Sequence, residues 1–138
     1  MLWQHYRVKR TDVSILVVDD VGAVRTQIVN LLELLGFTRV KVAETGPAAV
    51  ALFDAQPFNL VLADWHMTPV GGFDLLLYVR TFGSRKDTPF IMITAERKKE
   101  RVMAAINSGV DGYITKPITA GELESKILSV LSRKGVLG

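Results

Sequence analysis

Val13-Ser14-Ile15-Leu16-Val17-Val18-Asp19-Asp20 is the stretch on which the reading of the fold turns. A short β-branched run without polar alternation is a strand buried on both faces, and such strands belong to parallel sheets covered by helices. The run stops abruptly at two acids. The apolar period then changes: Val24, Ile28, Leu31, Leu32 and Leu35 recur at helical spacing, and Gly36 follows where a helix end favours a left-handed residue. The unit is therefore strand, acidic turn and amphipathic helix.

The same unit repeats along the chain. Val40-Lys41-Val42-Ala43 predicts a second strand, and Thr45-Gly46-Pro47 starts a helix over Ala48 to Ala55, with proline tolerated in its first turn. Leu60-Val61-Leu62-Ala63 is a third strand, followed by a loop holding Pro69-Val70-Gly71-Gly72 and an apolar helix from about Phe73 to Phe82. Phe90-Ile91-Met92-Ile93 is a fourth strand. Lys98 to Ser108 carries Val102, Ala105 and Ile106 on one helical face and closes at Gly109, after which Gly112-Tyr113-Ile114-Thr115 forms a fifth strand. A last helix uses Leu123, Ile127, Val130 and Leu131. Alternating strands and helices imply parallel pairing through right-handed crossovers, hence a doubly wound α/β sandwich. Phe37, Phe53, Phe58, Phe73, Phe82 and Phe90 fall on apolar faces and are expected at its core or rim.

A chain of 138 residues, 49% hydrophobic, can bury one good core and is too short for two ordinary domains. We expect an N-terminal arm over residues 1–12, one domain over 13–138, and no output domain after the fifth helix. The absence of cysteine excludes disulfide frameworks, thiolate zinc sites and thiol catalysis, and fits a reducing cytosol. Neither a leader nor an apolar run of membrane-spanning length is present, so a cytoplasmic protein without membrane contact is expected. The net charge is +3, but Arg7, Lys9 and Arg10 account for it, leaving 14 basic residues against 14 acids from residue 11 onward. A nucleic-acid surface is not required, and the arm, with His5 inert in it, reads as solvated.

Ligands of parallel α/β sheets collect beyond the carboxyl ends of the strands. Here those ends read Asp19-Asp20, Asp64, Thr94-Ala95 and Lys116-Pro117. Any one acid could be an ordinary helix cap. Three acids, a hydroxyl and a lysine at one edge are hard to explain that way. At about 4 Å each carboxylate pair costs on the order of 4 kcal/mol at an effective dielectric near 20, so positive charge must sit among them. Lys116 supplies one. An oxygen-only donor set without a His or Cys cluster favours a hard cation, Mg²⁺ over Zn²⁺. With such a cation an aspartate can act as nucleophile toward a phosphoryl group, and Thr94 offers a hydroxyl to the product. The chemistry expected is formation and hydrolysis of an acyl phosphate.

Four motifs carry a family resemblance: Val17-Val18-Asp19-Asp20, Asp64-Trp65-His66-Met67, Ile93-Thr94-Ala95-Glu96 with Lys98-Lys99-Glu100, and Gly112-Tyr113-Ile114-Thr115-Lys116-Pro117. Over about Ser14 to Leu131 the chain resembles the response-regulator receiver domain, in particular its single-domain, CheY-like chemotaxis members. The resemblance implies a flavodoxin-like (βα)5 sandwich with strand order 2-1-3-4-5. It implies Asp64 as phospho-acceptor, Asp20 as a direct Mg²⁺ ligand, Asp19 as a ligand acting largely through water, and the His66 backbone carbonyl as a further ligand. Thr94 and Tyr113 resemble a switch pair, and Lys116 a phosphate-binding cation. A cis peptide between Lys116 and Pro117, and Trp65 partly exposed over the pocket, are also implied. The partners implied are a CheA-like histidine kinase as phosphoryl donor, a flagellar motor switch protein or another downstream protein, and a phosphatase, with the chain itself a monomer. The loop Met67-Thr68-Pro69-Val70-Gly71-Gly72 departs from the family pattern, since its proline is displaced by one position and Gly71 stands where a polar residue is usual.

Three alternatives compete. A phosphorelay carrier differs from a motor regulator only in its partners. A phosphohydrolase acting on an external substrate through an aspartyl phosphate would want an acid two residues after the nucleophile, where the chain has His66, and a capping insertion for which there is no room. A receiver that binds without phosphorylation is disfavoured because every acid and the lysine are present. Arg97, Lys98, Lys99 and Arg101 read as a solvated helix start, or else as a contact for an acidic partner, with Lys126 nearby.

Overall fold

The computed structural model describes residues 8–137; His5 and Arg7 of the arm lie outside them. Five strands, β1 (Ser14–Val18), β2 (Arg39–Ala43), β3 (Leu60–Ala63), β4 (Phe90–Thr94) and β5 (Gly112–Thr115), alternate with five helices. The helices are α1 (Gly22–Leu34), α2 (Gly46–Ala55), α3 (Gly72–Thr81), α4 (Lys99–Asn107) and α5 (Ala120–Arg133). All strand pairs are parallel, in the order β2-β1-β3-β4-β5 that the resemblance implies. The three central strands β1, β3 and β4 are buried on both faces, as their unbroken apolar runs require.

The sheet divides the core in two. On one side Ile15, Val17, Leu62, Ile91 and Ile93 pack with Ile28 and Leu32 of α1 and Leu123, Ile127 and Leu131 of α5. On the other, Leu16, Val61, Phe90 and Met92 pack with Ala49 and Phe53 of α2 and Leu75, Leu76 and Val79 of α3. Strand residues alternate between the two clusters because successive side chains point to opposite faces. Gly36 ends α1 with φ of 92°, the left-handed conformation that glycine adopts without steric cost, and lets Phe37 N–H reach Leu32 O at 2.8 Å. Of the six phenylalanines, Phe82 departs from expectation: at the end of α3 it is 76% exposed.

Two arginines close the fold in ways that local pattern does not reveal. Arg10, expected in a solvated arm, lies in a 3-10 turn (Arg10–Asp12). Its guanidinium donates to Leu35 O at 2.8 Å and Glu124 Oε2 at 2.7 Å and lies over the Phe37 ring. Arg80, in the last turn of α3, donates to the carbonyls of Lys86, Thr88 and Gly109 and to Asp111 Oδ2 at 2.8 Å. Asp111 in turn accepts from Phe90 N–H at 2.9 Å and lies 3.5 Å from Lys134 Nζ. One guanidinium thus joins α3 to the segments that enter β4 and β5.

Both members of the Arg80–Asp111 pair are largely withdrawn from water, at 17% and 12% side-chain exposure. Removing one partner leaves the other poorly compensated. Arg80→Met should therefore lower the unfolding free energy by about 2–4 kcal/mol, measured by urea denaturation. A loss below about 1 kcal/mol would mean the pair behaves as an ordinary surface ion pair.

Candidate functional site

The sharp ends of β1, β3, β4 and β5 bring together the residues singled out in the sequence. Carboxylate oxygens of Asp19, Asp20 and Asp64 all lie within 4.8 Å of one another. Asp19 is fully buried, Asp64 nearly so, and Asp20 exposed. Asp19 is held from every side: its N–H donates to Ala43 O at 3.2 Å, and Oδ1 accepts from Val21 N–H at 2.9 Å. Lys116 Nζ reaches in from the end of β5 and donates to Asp19 Oδ2 at 2.9 Å and Asp64 Oδ2 at 3.2 Å. The Lys116–Pro117 peptide is cis, as expected, and the Thr68–Pro69 peptide of the unusual loop is cis as well.

Burial of Lys116 works against its charge, but the hydrogen bond to Asp19 and the charges of Asp64 and Asp19 outweigh it, so its pKa is raised. A raised lysine pKa means that this pairing is complete below the ordinary lysine value near 10.4 and is lost only as pH climbs through the raised one. Lys116 is thus a fixed cation at neutral pH. One ammonium still leaves three carboxylates with net negative charge. Asp64 Oδ1 is buried and without a hydrogen-bond partner among the described residues. An orphaned carboxylate oxygen is costly unless a ligand satisfies it. The donor set therefore fits a hard divalent cation or a phosphoryl group at Asp64.

The backbone geometry of the loop after Asp64 accounts for glycine at position 71. A side chain at Gly71 would place Cβ 2.3 Å from Trp65 O, and one at Gly72 would place it 2.1 Å from Asp64 O. The chain passes directly against the backbone at the end of β3, and the loop closes with Gly72 N–H on Trp65 O at 3.0 Å. Trp65 is half-buried and stacks on Phe73 at 4.9 Å between centroids.

Thr94 is fully buried at the end of β4, where its hydroxyl accepts from Glu96 N–H at 3.2 Å. Tyr113, on the neighbouring strand, donates its hydroxyl to Glu96 O at 2.8 Å. Both expected switch residues therefore grip Glu96, whose role the sequence reading did not assign. The Glu96 carboxylate is itself a hub: Oε2 accepts from the N–H groups of Arg97 and Lys98, while Oε1 lies 3.0 Å from His66 Nε2 and 2.9 Å from Arg101 Nη1. The bond from Lys98 N–H holds this carboxyl below the usual glutamate pKa, against a smaller effect of burial, with His66 and Arg101 reinforcing. Arg97 donates to Lys116 O at 3.0 Å. Arg97 and Arg101 are therefore anchored, while Lys98 and Lys99 remain exposed. The available signal for Glu96 was an acid two residues past a strand-ending threonine, at the start of a helix.

The fold and this pocket define a parallel α/β module with an acidic site at the carboxyl ends of its strands; residues 15–128 match the response regulator receiver domain, and the chain belongs to that family. Among its relatives it is 38% identical to the chemotaxis protein CheY-3 of Vibrio cholerae over 122 residues, covering 88% of this chain and 94% of that one. It is 39% identical to the chemotaxis protein CheY of Pseudomonas aeruginosa over 120 residues, covering 87% and 97%. Its structure superposes on a CheY-like receiver domain from Methanospirillum hungatei with a TM-score of 0.82 at 30% identity, covering 89% of this chain and 96% of that one. For Vibrio cholerae CheY4 the TM-score is 0.80 at 28% identity, covering 86% and 98%.

Burial first, then the nearby charges of Glu96 and Asp64, push the Tyr113 phenol up to about 12. Because the neutral form is favoured in the folded state, the associated stability is complete below about pH 10 and lost as pH rises through the folded value. Tyrosinate absorbance of the native protein minus that of Tyr113→Phe should show this ring titrating at about 12. Titration of the ring near pH 10 would contradict its described environment.

Proposed function

We propose that this chain is a phosphorylation-controlled switch of chemotaxis signalling, which accepts a phosphoryl group on Asp64 from a histidine kinase and changes its partner binding in response. Asp64 itself supports this reading: its Oδ1 is buried and without a hydrogen-bond partner among the described residues, and its Oδ2 is held by Lys116 beside two further carboxylates. Relatives named as chemotaxis proteins at 38% and 39% identity favour this over a phosphorelay carrier. The chain would act as a cytoplasmic monomer, and no helix among the described residues is long and apolar enough to cross a membrane.

Asp19, Asp20, Asp64 and the His66 carbonyl would hold a Mg²⁺ ion. When bound, it neutralises the carboxylates and the charge that develops on the phosphoryl oxygens. An oxygen of Asp64 attacks phosphorus, the bond from phosphorus to the donor breaks, and the donor leaves with the electron pair. Lys116, a permanent cation in the neutral range, stabilises the equatorial oxygens. The product is an acyl phosphate, and attack of water on its phosphorus returns the Asp64 carboxylate and inorganic phosphate. No acid stands two residues after Asp64, so the chain would turn over its own phosphate and no external substrate.

A phosphoryl oxygen offers the Thr94 hydroxyl a charge-assisted hydrogen bond. The hydroxyl, which already accepts from Glu96 N–H, would be drawn inward with Thr94 as it donates to the phosphate, and Tyr113, bonded to Glu96 O, would rotate toward the space vacated. The phosphate thereby favours one of two states that already exist. The face formed by α4, β5 and α5, bordered by Lys98, Lys99 and Lys126, would present the result to an acidic or amphipathic partner segment. That segment belongs to a flagellar motor switch protein in this reading, and a phosphatase would reset the pocket.

Incubation with acetyl phosphate and Mg²⁺ should add one phosphate per chain by mass spectrometry, and Asp64→Asn should abolish it. In the same series Thr94→Ala should still take up phosphate but gain less partner affinity on treatment with beryllofluoride. Undiminished phosphate uptake by Asp64→Asn would refute the assignment.

A further inference from the structure

We infer that Arg25 is a positioning residue for the acidic turn, fixing the direction in which Asp20 presents its carboxylate to the cation; this rests on the phosphorylation reading above. Arg25 lies in the first turn of α1, its N–H bonded to Val21 O at 3.0 Å. The side chain doubles back over the turn that precedes the helix. Nη1 donates to Asp19 O at 2.8 Å, and Nη2 lies 3.5 Å from Glu44 Oε2 just beyond β2. The side chain is 21% exposed and lies along a groove shared with Gly22, Thr26, Val29 and Val42. An arginine held against a backbone carbonyl in this way is not a free surface charge.

The contact matters because of what the Asp19 carbonyl is attached to. That oxygen and the Asp20 nitrogen belong to one planar peptide, so fixing the oxygen fixes the plane from which the Asp20 Cα departs. Asp19 needs no such help, since Ala43, Val21 and Lys116 already hold its backbone N–H and both carboxylate oxygens. Asp20 is different. It is the exposed member of the cluster, and the aim of its carboxylate depends on the backbone that carries it.

Position and charge predict opposite signs. A guanidinium beside a cation site repels the cation, so if charge alone mattered, removing Arg25 would tighten binding. If it orients a ligand, removal weakens binding, as loss of groups that hold metal ligands generally does.

The test is a Mg²⁺ titration followed by fluorescence in a Trp3→Phe background, where Trp65 alone reports. Arg25→Ala should bind Mg²⁺ about tenfold more weakly than the parent. Arg25→Lys, which keeps a donor on a long stem, should fall between. At saturating Mg²⁺ the rate of phosphorylation of Arg25→Ala by acetyl phosphate should return close to the parent's. Unchanged or tighter binding in Arg25→Ala, a lysine variant weaker than alanine, or a rate still depressed at saturating Mg²⁺ would overturn the positioning role and leave the Asp64 reading standing. Should the alanine variant fail to fold, the lysine variant decides, because binding equal to or tighter than the parent's would overturn the inference. A parent protein that neither binds Mg²⁺ nor takes phosphate would overturn that reading and this inference together.

Discussion

Three carboxylates within 4.8 Å of one another are the constraint on which the rest of this structure depends. At an effective dielectric near 20 the buried Asp19–Asp64 pair repels by about 3–4 kcal/mol, and the two pairs that include exposed Asp20 repel by less because water screens them. One ammonium, on Lys116, opposes this. It can do so only because β5 ends beside β4 and delivers the lysine from the far side of the pocket, a placement that needs the whole sheet. The apolar strands that bury Asp19 and Asp64 are thus also what makes their charges strong. A charge cluster of this kind persists only on a scaffold with stability to spare, and the two dense cores on either side of the sheet supply it.

The other pole of the molecule shows the complementary arrangement. There Arg80 and Asp111 are matched in charge and surrounded by carbonyls and an N–H that complete their hydrogen bonds. The Arg80 guanidinium and the Asp111 carboxylate both have partners, although Arg85 Nε nearby has none among the described residues; in the pocket it is an acid, Asp64, whose buried oxygen has none among them. The contrast separates a polar cluster that fastens elements together from one whose incompleteness suits it to take a ligand.

Much of this was legible in the sequence, for identifiable reasons. The strands declared themselves because β1, β3 and β4 are buried on both faces, and each strand end is a short local motif, so Asp19, Asp20, Asp64, Thr94 and Lys116 could be assembled from topology alone. Helix boundaries were less legible: α4 starts at Lys99 because the Glu96 carboxylate captures the Arg97 and Lys98 N–H groups ahead of it. Side chains that act across long separations were not legible at all. Arg10 finds Glu124 from 114 positions away, and Arg80 finds Asp111 from 31. Glu96 and Arg25 act on backbone groups, which leave no residue-type signature at the receiving end. Gly71 departs from the family pattern in the sequence; in the structure, glycine at 71 and 72 is what allows the chain to pass against Trp65 O and Asp64 O.

The acidic pocket is electrostatically strained until a cation enters it. Thermal unfolding of the native protein and Asp20→Asn, each in EDTA and in Mg²⁺, tests this most directly. In EDTA the variant should unfold at a higher temperature than the native protein, by roughly 5 °C, and Mg²⁺ should raise the native midpoint while leaving the variant's nearly unchanged. An Asp20→Asn variant less stable than the native protein in EDTA, together with a native midpoint indifferent to Mg²⁺, would contradict it.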